Sequence, residues 1–420
     1  MKILWFTHIP LPDVNRYFGK DAMGTGGWIG ALLELLKKIP ELEIGVATAC
    51  SHFPSSRFQV DGIDYFIVNQ QSQKFRRSLF PADNNPVYLK QCVDIVNEFK
   101  PDLVHIHGTE RFFARMISTD MVQCPVVVSI QGIMSAVSEW YRWFGKLPLR
   151  DVLVASAYDS IKFSGLLWDL RVARQQARRE REYFRKGKYF IGRTDWDKAY
   201  LSYFNDQAQY FAIHEVMRKP FWHHQWDLDR CKKYRIIFTN TRHPRKGAEL
   251  LIEAVKLLKH LYPCIELIFI GSLGSGAYAR YLEKKINDLD GTVKSLGQMH
   301  ADEIAKELCK AHVFVSASYI DNSPNSIAEA QLVGMPVVSS YTGGVPSMID
   351  DGQTGLFFPT GDIPLLVSRI KTIFENEALS IRLAENARQT AMRRHDPQAV
   401  VNAQLAAYHS IIKDSLTKDS

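Results

Sequence analysis

Residues 313–362 read VFVSASYIDNSPNSIAEAQLVGMPVVSSYTGGVPSMIDDGQTGLFFPTGD. The segment begins as an apolar strand, passes through a polar loop and continues as a helical stretch that ends at Gly334. A helix that begins in this loop would direct free backbone N–H groups and the positive end of its dipole at a bound phosphate. Ser323 or Asn325 is expected to cap the helix, with Pro324 near its first position. The loop is therefore the first candidate for a binding site.

Two acids flank the start of this helix. Asp321 lies in the loop, and Glu329 lies eight residues later on the helix. Both carboxylates can face one ligand at different depths, and a carboxylate is a suitable acceptor for the vicinal hydroxyls of a ribose or a hexose. Asn322 and the Gly343-Gly344 turn complete the predicted pocket. Taken singly, each acid is better explained without a ligand, as a solvated loop acid or an acid at a helix N-terminus, so the prediction rests on the whole constellation.

The rest of the chain alternates between apolar strand candidates and helical stretches. This alternation is typical of the α/β class, in which helices cover both faces of a parallel sheet. A chain of 420 residues exceeds what one hydrophobic core usually supports, so two Rossmann-like, doubly wound domains are predicted. We place them at residues 1–210 and 226–396, joined by an aromatic- and histidine-rich linker at 211–225. Ligands of such sheets bind at the carboxyl ends of the strands, so the site is expected in a central cleft that both domains face.

A second candidate segment lies between a predicted strand and a predicted helix. Residues Thr239–Gly247 read TNTRHPRKG, and Arg242 and Lys246 straddle the turn. Two fixed cations at this position can neutralise a diphosphate while the bond to it breaks. Arg245 can share or replace the role of Lys246. The ordinary alternative is surface charge beside a proline turn.

Weaker signals lie in the first half of the chain. A glycine-rich loop after the first strand includes Gly26 and Gly27, whose backbone can approach a ligand closely. His105 and His107 end another predicted strand and share one face, with His107 nearer to the cleft. Gln131 ends the next strand and can hydrogen-bond a sugar hydroxyl, although it cannot act as an acid or a base. His107 and Gln131 are candidate contacts for a sugar or an acceptor, and a strand-end histidine with ordinary partners explains His107 equally well.

The composition argues against several classes of protein. The six cysteines are scattered without a CxxC pair, which disfavours a zinc or disulfide framework. No apolar run approaches the length of a membrane span, and the N-terminus is typical of a buried strand, not of a signal peptide, so a cytoplasmic protein is expected. Neither a metal nor a cofactor is predicted. Three Asp-x-Asp pairs are interpreted as solvated acids: Asp195/Asp197, Asp227/Asp229 and Asp288/Asp290.

The segment 313–362 resembles the donor-site signature of the retaining glycosyltransferases of the two-Rossmann type, called GT-B, family 4. That signature has two acids separated by seven residues, then a G-x-P-V-V strand and a Gly-Gly turn. The matching residues are Asp321, Glu329, Gly334, Pro336, Val337, Val338, Gly343 and Gly344. In this sequence Asp321 stands where the family usually has Glu. The resemblance also implies that a C-terminal helix at 397–415 crosses back to the first domain.

The resemblance implies a role for each part of the site. Glu329 would hold the ribose of a nucleotide, and Asp321 with the nearby backbone N–H groups would hold the donor hexose. Arg242 and Lys246 would supply the positive charge that a metal supplies in other glycosyltransferases. Gln131 aligns with a position where many relatives have His, and its presence fits a front-face displacement in which the leaving phosphate takes the proton of the acceptor.

A basic segment is the main candidate for a further partner. Residues 171–188 hold eight Arg or Lys and two Glu, so most of the formal net charge of +7 comes from this part of a helix predicted at about 149–184. Aromatic side chains beside arginine clusters suit an anionic membrane or a lipid-linked pyrophosphate, so residues 140–188 are a candidate for peripheral membrane contact. A solvated helix face on an ordinary core is an equally good explanation, and nucleic acid is not predicted because no binding module accompanies the segment. The aromatic residues are Trp140, Tyr141, Trp143, Phe144, Phe163 and Trp168.

Two shorter motifs narrow the function. Phe190–Trp196 and His214–Arg218 resemble segments of bacterial glycosyltransferases that build capsule, O-antigen or exopolysaccharide. The resemblance therefore implies transfer of a hexose, with retention, from a UDP- or GDP-sugar to a growing, lipid-linked glycan. Two alternatives stay open: a nucleotide-sugar epimerase of the same architecture, and a non-catalytic scaffold that binds a nucleotide-sugar.

Overall fold

The structure is a computed structural model that describes residues 1–20, 27–70, 86–153, 156 and 165–417. Contacts between Cα atoms divide the chain into two compact units. Unit 1 comprises Met1–Ser135, Val172–Val216 and His395–Ser420. Unit 2 comprises Ala136–Arg171 and Met217–Arg394.

Unit 1 contains an eight-stranded sheet in the order β3-β4-β2-β1-β5-β6-β7-β8. All neighbouring strands pair in parallel except β3 and β4, which form an antiparallel hairpin. Strand β1 is apolar along nearly its whole length because both faces of a parallel sheet are covered. The strands are β1 (Lys2–Thr7), β2 (Glu43–Cys50), β3 (Ser56–Val60), β4 (Ile63–Asn69), β5 (Leu103–His107), β6 (Val126–Ser129), β7 (Tyr189–Gly192) and β8 (Gln209–Ala212).

Unit 2 contains a six-stranded sheet in the order β11-β10-β9-β12-β13-β14, parallel throughout. Its central strand β12 is fully buried, which positions the loop that follows it at the carboxyl edge of the sheet. The strands are β9 (Lys232–Thr239), β10 (Glu266–Ile270), β11 (Val293–Ser295), β12 (Ala311–Ser316), β13 (Val337–Tyr341) and β14 (Leu356–Pro359).

Helices connect the strands in both units. In chain order they are α1 (Pro12–Tyr17), α2 (Gly27–Leu36), α3 (Pro86–Phe99), α4 (Met134–Val137), α5 (Trp140–Phe144), α6 (Leu166–Lys186), α7 (Asp195–Phe204), α8 (Pro220–His223), α9 (Ala248–Lys259), α10 (Ala277–Asn287), α11 (Ala301–Cys309), α12 (Asn325–Val333), α13 (Ile363–Glu375), α14 (Glu377–Arg394) and α15 (Pro397–Leu416). Short 3₁₀ helices lie at Phe112–Ser118, Pro244–Lys246 and Val345–Ser347.

The C-terminal helix α15 packs on unit 1. Its first turn is capped by Asp396, whose side chain accepts a hydrogen bond from the backbone N–H of Ala399 at 2.7 Å. Near the other end of the helix, Asp414 pairs with Lys188 and Tyr189. In the middle, Tyr408 is completely buried against strands of the first sheet.

The predicted fold class is confirmed, because the chain forms two Rossmann-like α/β units with parallel sheets. The division of the chain differs from the predicted domains. Residues up to Val216 group with unit 1 and residues from Met217 with unit 2, so the boundary falls within the predicted linker 211–225. Residues 136–171 group with unit 2, although chain order suggested the first domain. The described part of the helix predicted at 149–184 includes α6, which begins at Leu166.

Candidate functional site

Three loops meet at the carboxyl edge of the unit 2 sheet. They follow the adjacent strands β9, β12 and β13, and backbone hydrogen bonds join them. The N–H of Tyr319 donates to the carbonyl of Arg245 at 2.7 Å, and the N–H of Gly344 donates to the carbonyl of Asp321 at 3.0 Å. The predicted segments 239–247 and 313–362 are therefore brought together by the topology.

Two glycines permit this close approach. Gly247 has a φ of 75°, and a Cβ added to it would lie 2.1 Å from the carbonyl oxygen of Ala317. Gly343 has a φ of 51°, and a Cβ added to it would lie 2.0 Å from the carbonyl oxygen of Asp321. Both positions demand a left-handed backbone and leave no room for a side chain. The Gly-Gly turn thus acts on the site by fixing the backbone of Asp321.

Asp321 and Lys246 form a buried ion pair. Lys246 Nζ lies 2.5 Å from Asp321 Oδ2, and Ser318 Oγ donates to the same oxygen at 3.0 Å. Burial alone would raise the pKa of Asp321, but the positive charges of Lys246 and Arg245 outweigh it and hold this pKa below its usual value. Lys246 was predicted to face a diphosphate. In the structure its ammonium group pairs with Asp321, as a largely buried cation requires a nearby anion, and its contact with a diphosphate stays a prediction.

Arg242 and Arg245 flank this pair differently. Arg242 is exposed, and Arg245 is half-buried with its carbonyl bonded to Tyr319. Beside Arg242 lies a glycine-rich loop, Gly271–Gly276, that the sequence analysis missed. Thr241 Oγ1 donates to the carbonyl of Ser272 at 3.1 Å and so ties this loop to the β9 loop. The pattern GSLGSG between a strand and a helix was the signal available in the sequence.

Glu329 forms a second buried ion pair, with Arg218. Arg218 Nη2 and Nε lie 2.5 Å and 3.2 Å from Glu329 Oε1. Burial raises the pKa of Glu329 above its usual value, although the charge of Arg218 opposes this shift. Arg218 was not predicted as a site residue. The only signal for it in the sequence was the motif His214–Arg218, which carried no assigned contact.

The N-terminus of α12 lies between the two acids in sequence. Pro324 is itself the residue that precedes the helix and has no side-chain cap to offer, so the N-cap position is neither Ser323 nor Asn325 as expected. Asn325 is the first helical residue and Asn322 is buried in the loop. The helix is nine residues long, and the first N–H groups of a helix have no partner within it, which makes them candidates for binding an anion.

The aromatic segment 140–147 lies in unit 2, against the β9 loop. The ring of Trp143 meets His243 edge-on with centroids 4.5 Å apart, and its Nε1 donates to the carbonyl of Leu166 at 3.0 Å. Tyr141 Oη donates to the carbonyl of Thr360 at 3.2 Å. Trp143 and Phe144 are therefore core residues and cannot contact a membrane. Trp140 and Tyr141 stay exposed by 43% and 47%, and Phe163 lies outside the described residues.

The candidate residues of unit 1 form a separate cluster at the end of β5. His105 and His107 share one face, with ring centroids 4.1 Å apart, and both are completely buried. His105 Nδ1 lies 2.6 Å from Tyr408 Oη and its Nε2 lies 2.7 Å from Ser129 Oγ. His107 packs against Trp5 and Trp28, and burial lowers its pKa well below the usual value.

The other candidates of unit 1 are less informative. Gln131 follows β6 and is half-buried. Gly27 is the first residue of α2, whereas Gly26 lies outside the described residues. The interpretation of Asp197 as a solvated acid is wrong: it is buried, and it accepts hydrogen bonds from Tyr210 Oη at 2.6 Å and the N–H of Arg193 at 3.0 Å. Across the described ranges, no group of three or more His, Cys, Asp or Glu is arranged to hold a metal.

Helix α6 separates its charges from its apolar face. Its buried face includes Glu180, which accepts hydrogen bonds from Thr109 Oγ1 at 2.6 Å and from the N–H groups of Met134 and Ser135 at 2.9 and 2.8 Å. The opposite face carries an arginine stripe at helical spacing, and all its members are exposed: Arg171, Arg174, Arg178, Arg181 and Arg185. None of the helices in the described ranges combines the length and hydropathy that crossing a bilayer requires.

The chain forms two α/β units, each built on a mainly parallel sheet, and acids and cations lie at the carboxyl edge of the unit 2 sheet. The fold belongs to the GT-B class of glycosyltransferase folds. Solved structures agree on the fold. Sucrose-phosphate synthase from Thermosynechococcus elongatus superposes with a TM-score of 0.76 at 17% identity and covers 99% of this chain and 100% of its own. The Anabaena protein Alr3699/HepE in complex with UDP-glucose superposes with a TM-score of 0.66 at 18% identity, over 98% and 99%.

Residues 221–390 match the family described as glycosyl transferases group 1. The chain is 31% identical over 162 residues to the amylovoran biosynthesis glycosyltransferase AmsK of Erwinia amylovora, over 36% of this chain and 39% of that protein. It is 32% identical over 163 residues to the lipopolysaccharide core biosynthesis glycosyltransferase LpsE of Rhizobium meliloti, over 38% and 45%. The chain thus spans less than half the length of these relatives. The predicted resemblance to bacterial surface-polysaccharide glycosyltransferases of the GT-B type is confirmed.

Proposed function

We propose that the protein is a retaining glycosyltransferase that transfers a hexose from a UDP- or GDP-sugar to a lipid-linked glycan in the assembly of a bacterial surface polysaccharide. The proposal rests on one observation, that unit 2 keeps two largely buried ion pairs near the carboxyl edge of its sheet. They join Asp321 with Lys246 and Glu329 with Arg218. Burying charges is costly, so a site that keeps two such pairs is typical of ligand binding. The named relatives support the pathway, and the HepE complex supports a UDP-linked donor.

In the proposed site each group has one task. Glu329 accepts hydrogen bonds from the ribose. The start of α12 receives the diphosphate, together with the residues around it: Asn322, Ser323, Asn325 and the Gly343-Gly344 turn. Arg242 is the exposed cation of the β9 loop and meets the diphosphate as negative charge develops on it.

Asp321 holds Lys246 in place and contacts the hexose, while Lys246 remains available to the leaving phosphate. These cations do the work of a metal, and no further cofactor is proposed. His107 and Gln131 are proposed to contact the sugar or the acceptor. The acceptor hydroxyl attacks the anomeric carbon from the face that the phosphate leaves, and the leaving phosphate accepts its proton. Attack on that face gives retention.

The proposal is tested by release of nucleotide from UDP- and GDP-hexoses and by the anomeric configuration of the product in proton NMR. We expect one donor to be consumed with retention, and Asp321→Asn to abolish consumption. Asp288→Asn, which changes an exposed acid at the end of α10, is the matched control and should retain full turnover. Inversion at the anomeric carbon would contradict the mechanism. Binding without consumption would favour the scaffold, and conversion of the donor to its epimer would favour the epimerase.

The arginine stripe of α6 is proposed to hold the protein on the anionic surface where a lipid-linked acceptor lies. Charge complementarity supports this, since each basic residue near such a surface contributes about 1 kcal/mol of binding free energy. Flotation with vesicles that contain phosphatidylglycerol should carry the wild type upward at low salt and leave behind a variant with Arg174, Arg178 and Arg181 all changed to Glu. Equal flotation of the two proteins would remove this proposal.

A further inference from the structure

Arg218 contacts Glu329, the acid proposed to bind the ribose, yet no role in the site was predicted for Arg218 from the sequence. Its guanidinium group directs two nitrogens at a single carboxylate oxygen, Oε1 of Glu329. Among the described residues, the other oxygen, Oε2, receives no hydrogen bond. The side chain of Arg218 is 27% exposed and that of Glu329 is 9% exposed, so the arginine occupies the more solvated end of the pair. The geometry leaves one carboxylate oxygen for a ligand and fixes the other.

The segment that carries Arg218 is itself fixed against α12. The N–H of Trp226 donates to the carbonyl of Val333 at 2.7 Å. Arg388 bridges the two elements, since its guanidinium group donates to the carbonyls of Leu332 and of Trp222. The Arg218 guanidinium group also lies 5.0 Å from the ring centre of the fully buried Phe221. The segment that follows Arg218 is therefore fixed to α12 by these hydrogen bonds, and the guanidinium group of Arg218 lies against an aromatic ring.

We propose that Arg218 is a positioning residue that orients the Glu329 carboxylate so that Oε2 accepts hydrogen bonds from the ribose hydroxyls of the nucleotide. The inference rests on the proposed function, because it assigns a task to Arg218 within the same donor site. An arginine suits the task better than a lysine because its planar fork fixes the plane of a carboxylate, whereas an ammonium group is a point charge. The specificity for ribose over deoxyribose then depends on Arg218 even though Arg218 itself does not touch the sugar.

The test compares UDP, GDP and their 2′-deoxy forms by calorimetric titration. The variants are Arg218→Gln, Arg218→Lys, Glu329→Gln and the double variant Arg218→Gln/Glu329→Gln. Arg388→Gln is the matched control, because Arg388 binds the same two elements without touching Glu329. Circular dichroism and thermal unfolding of each variant show whether it is folded.

The wild type should bind the ribonucleotide about tenfold or more tightly than its 2′-deoxy form, as expected for a lost hydrogen bond to a charged group. Arg218→Gln should lose both affinity and this preference, Arg218→Lys should recover part of each, and the double variant should be no weaker than Glu329→Gln. Arg388→Gln should keep the preference.

Two outcomes would overturn the inference. One is a wild-type preference for ribose in Arg218→Gln, and the other is an equal loss of preference in Arg388→Gln, which would reduce Arg218 to a packing role. If the wild type binds neither ribonucleotide, both the proposed donor site and the inference about Arg218 are contradicted. If the wild type binds one of them and the preference survives in Arg218→Gln, only the inference falls.

Discussion

The residues at the end of β5 in unit 1 differ in charge from those in the loops and helix after β9 and β12 in unit 2. At the end of β5, His105 and His107 are buried without charge: burial lowers the pKa of His105 to about 3 and that of His107 well below its usual value. In unit 2, Asp321 and Glu329 are largely buried, yet each is paired with a cation. Unit 1 has a buried ion pair of its own, Arg193 with Glu215 at 2.8 Å, so the contrast is between these two clusters and not between whole sheets.

This difference matches the two kinds of substrate that a glycosyltransferase handles. A nucleotide-sugar carries a diphosphate and needs fixed charges that do not reorganise when it binds. An acceptor hydroxyl is uncharged and needs shape and neutral hydrogen-bonding groups. Under the proposed function, the ionic part of the donor binds unit 2, and we predict that variants of unit 1 and unit 2 will fail in different ways.

The largest effect is expected from breaking the ion pair between Asp321 and Lys246. Asp321→Ala leaves Lys246 buried without an anion and should cost about 3–5 kcal/mol of unfolding free energy, together with all nucleotide-sugar turnover. The double variant Lys246→Met/Asp321→Leu removes both charges and should recover most of the stability but none of the turnover. Urea unfolding and nucleotide release measure the two quantities. Turnover in the double variant would contradict a catalytic role for the pair.

The next effect is expected at the Gly-Gly turn. Gly343→Ala forces a Cβ onto the carbonyl oxygen of Asp321 and should cost about 2–4 kcal/mol through strain and overpacking, with a parallel loss of nucleotide affinity. Gly352→Ala is the matched control, because Gly352 has a φ of 72° but open space around the added carbon. Gly352→Ala should lower the unfolding free energy only by the strain of a left-handed backbone at a residue with a side chain, about 1–2 kcal/mol. Equal losses in the two variants would mean that the contact with Asp321 is unimportant.

A smaller effect is expected in unit 1. Tyr408→Phe removes the hydroxyl that accepts a hydrogen bond from Trp5 Nε1 at 3.0 Å and contacts His105 Nδ1 at 2.6 Å. Leaving these buried groups without a partner should cost about 1–3 kcal/mol of unfolding free energy. Nucleotide affinity, which belongs to unit 2, should not change. A loss of nucleotide affinity as large as that in Gly343→Ala would erase the distinction between the two units.

The smallest effect is a change in the slope of stability with pH. Burial raises the pKa of Glu249, at the start of α9, to about 7, and Tyr278 Oη donates to its Oε2 at 2.9 Å. Since the folded-state pKa lies above the unfolded-state pKa, the stability that Glu249 contributes is fully present below the unfolded-state pKa, near 4.5, and is lost as the pH rises through about 7. Glu249→Gln should flatten the curve of unfolding free energy over that interval. An unchanged curve would show that Glu249 titrates normally.

Much of the fold could be predicted from the sequence because central parallel strands are nearly continuous apolar runs. The antiparallel hairpin of β3 and β4 was missed, since β3 reads SRFQV and only its middle residue is buried. Helix α13 was also missed, although Asp362 caps it and Pro364 lies in its first turn. The grouping of residues 136–171 with unit 2 could not be predicted, because chain order carries no information about which sheet a segment packs on.

The candidate site was predicted in part. The acids, the Gly-Gly turn and the β9 loop were recognised because they are clustered in sequence around strand ends. Their partners were not, since Arg218 lies 111 residues from Glu329 and Lys246 lies 75 residues from Asp321. A pattern within one segment indicates which residues can act, but the pairing of charges across segments depends on the register of the whole sheet. For that reason the pairing of Lys246 with Asp321 was not predicted, while the contact of Lys246 with a phosphate stays a prediction.

The central claim is that unit 2 binds a nucleotide through Glu329. Calorimetric titration of UDP and GDP into the wild type and into Glu329→Ala tests it most directly. We predict that one nucleotide binds the wild type and that the variant binds it more weakly by about 1.5–3 kcal/mol, as expected for a lost hydrogen bond to a charged group. If neither nucleotide binds the wild type, or if Glu329→Ala binds as tightly as the wild type, the assignment of the donor site is contradicted.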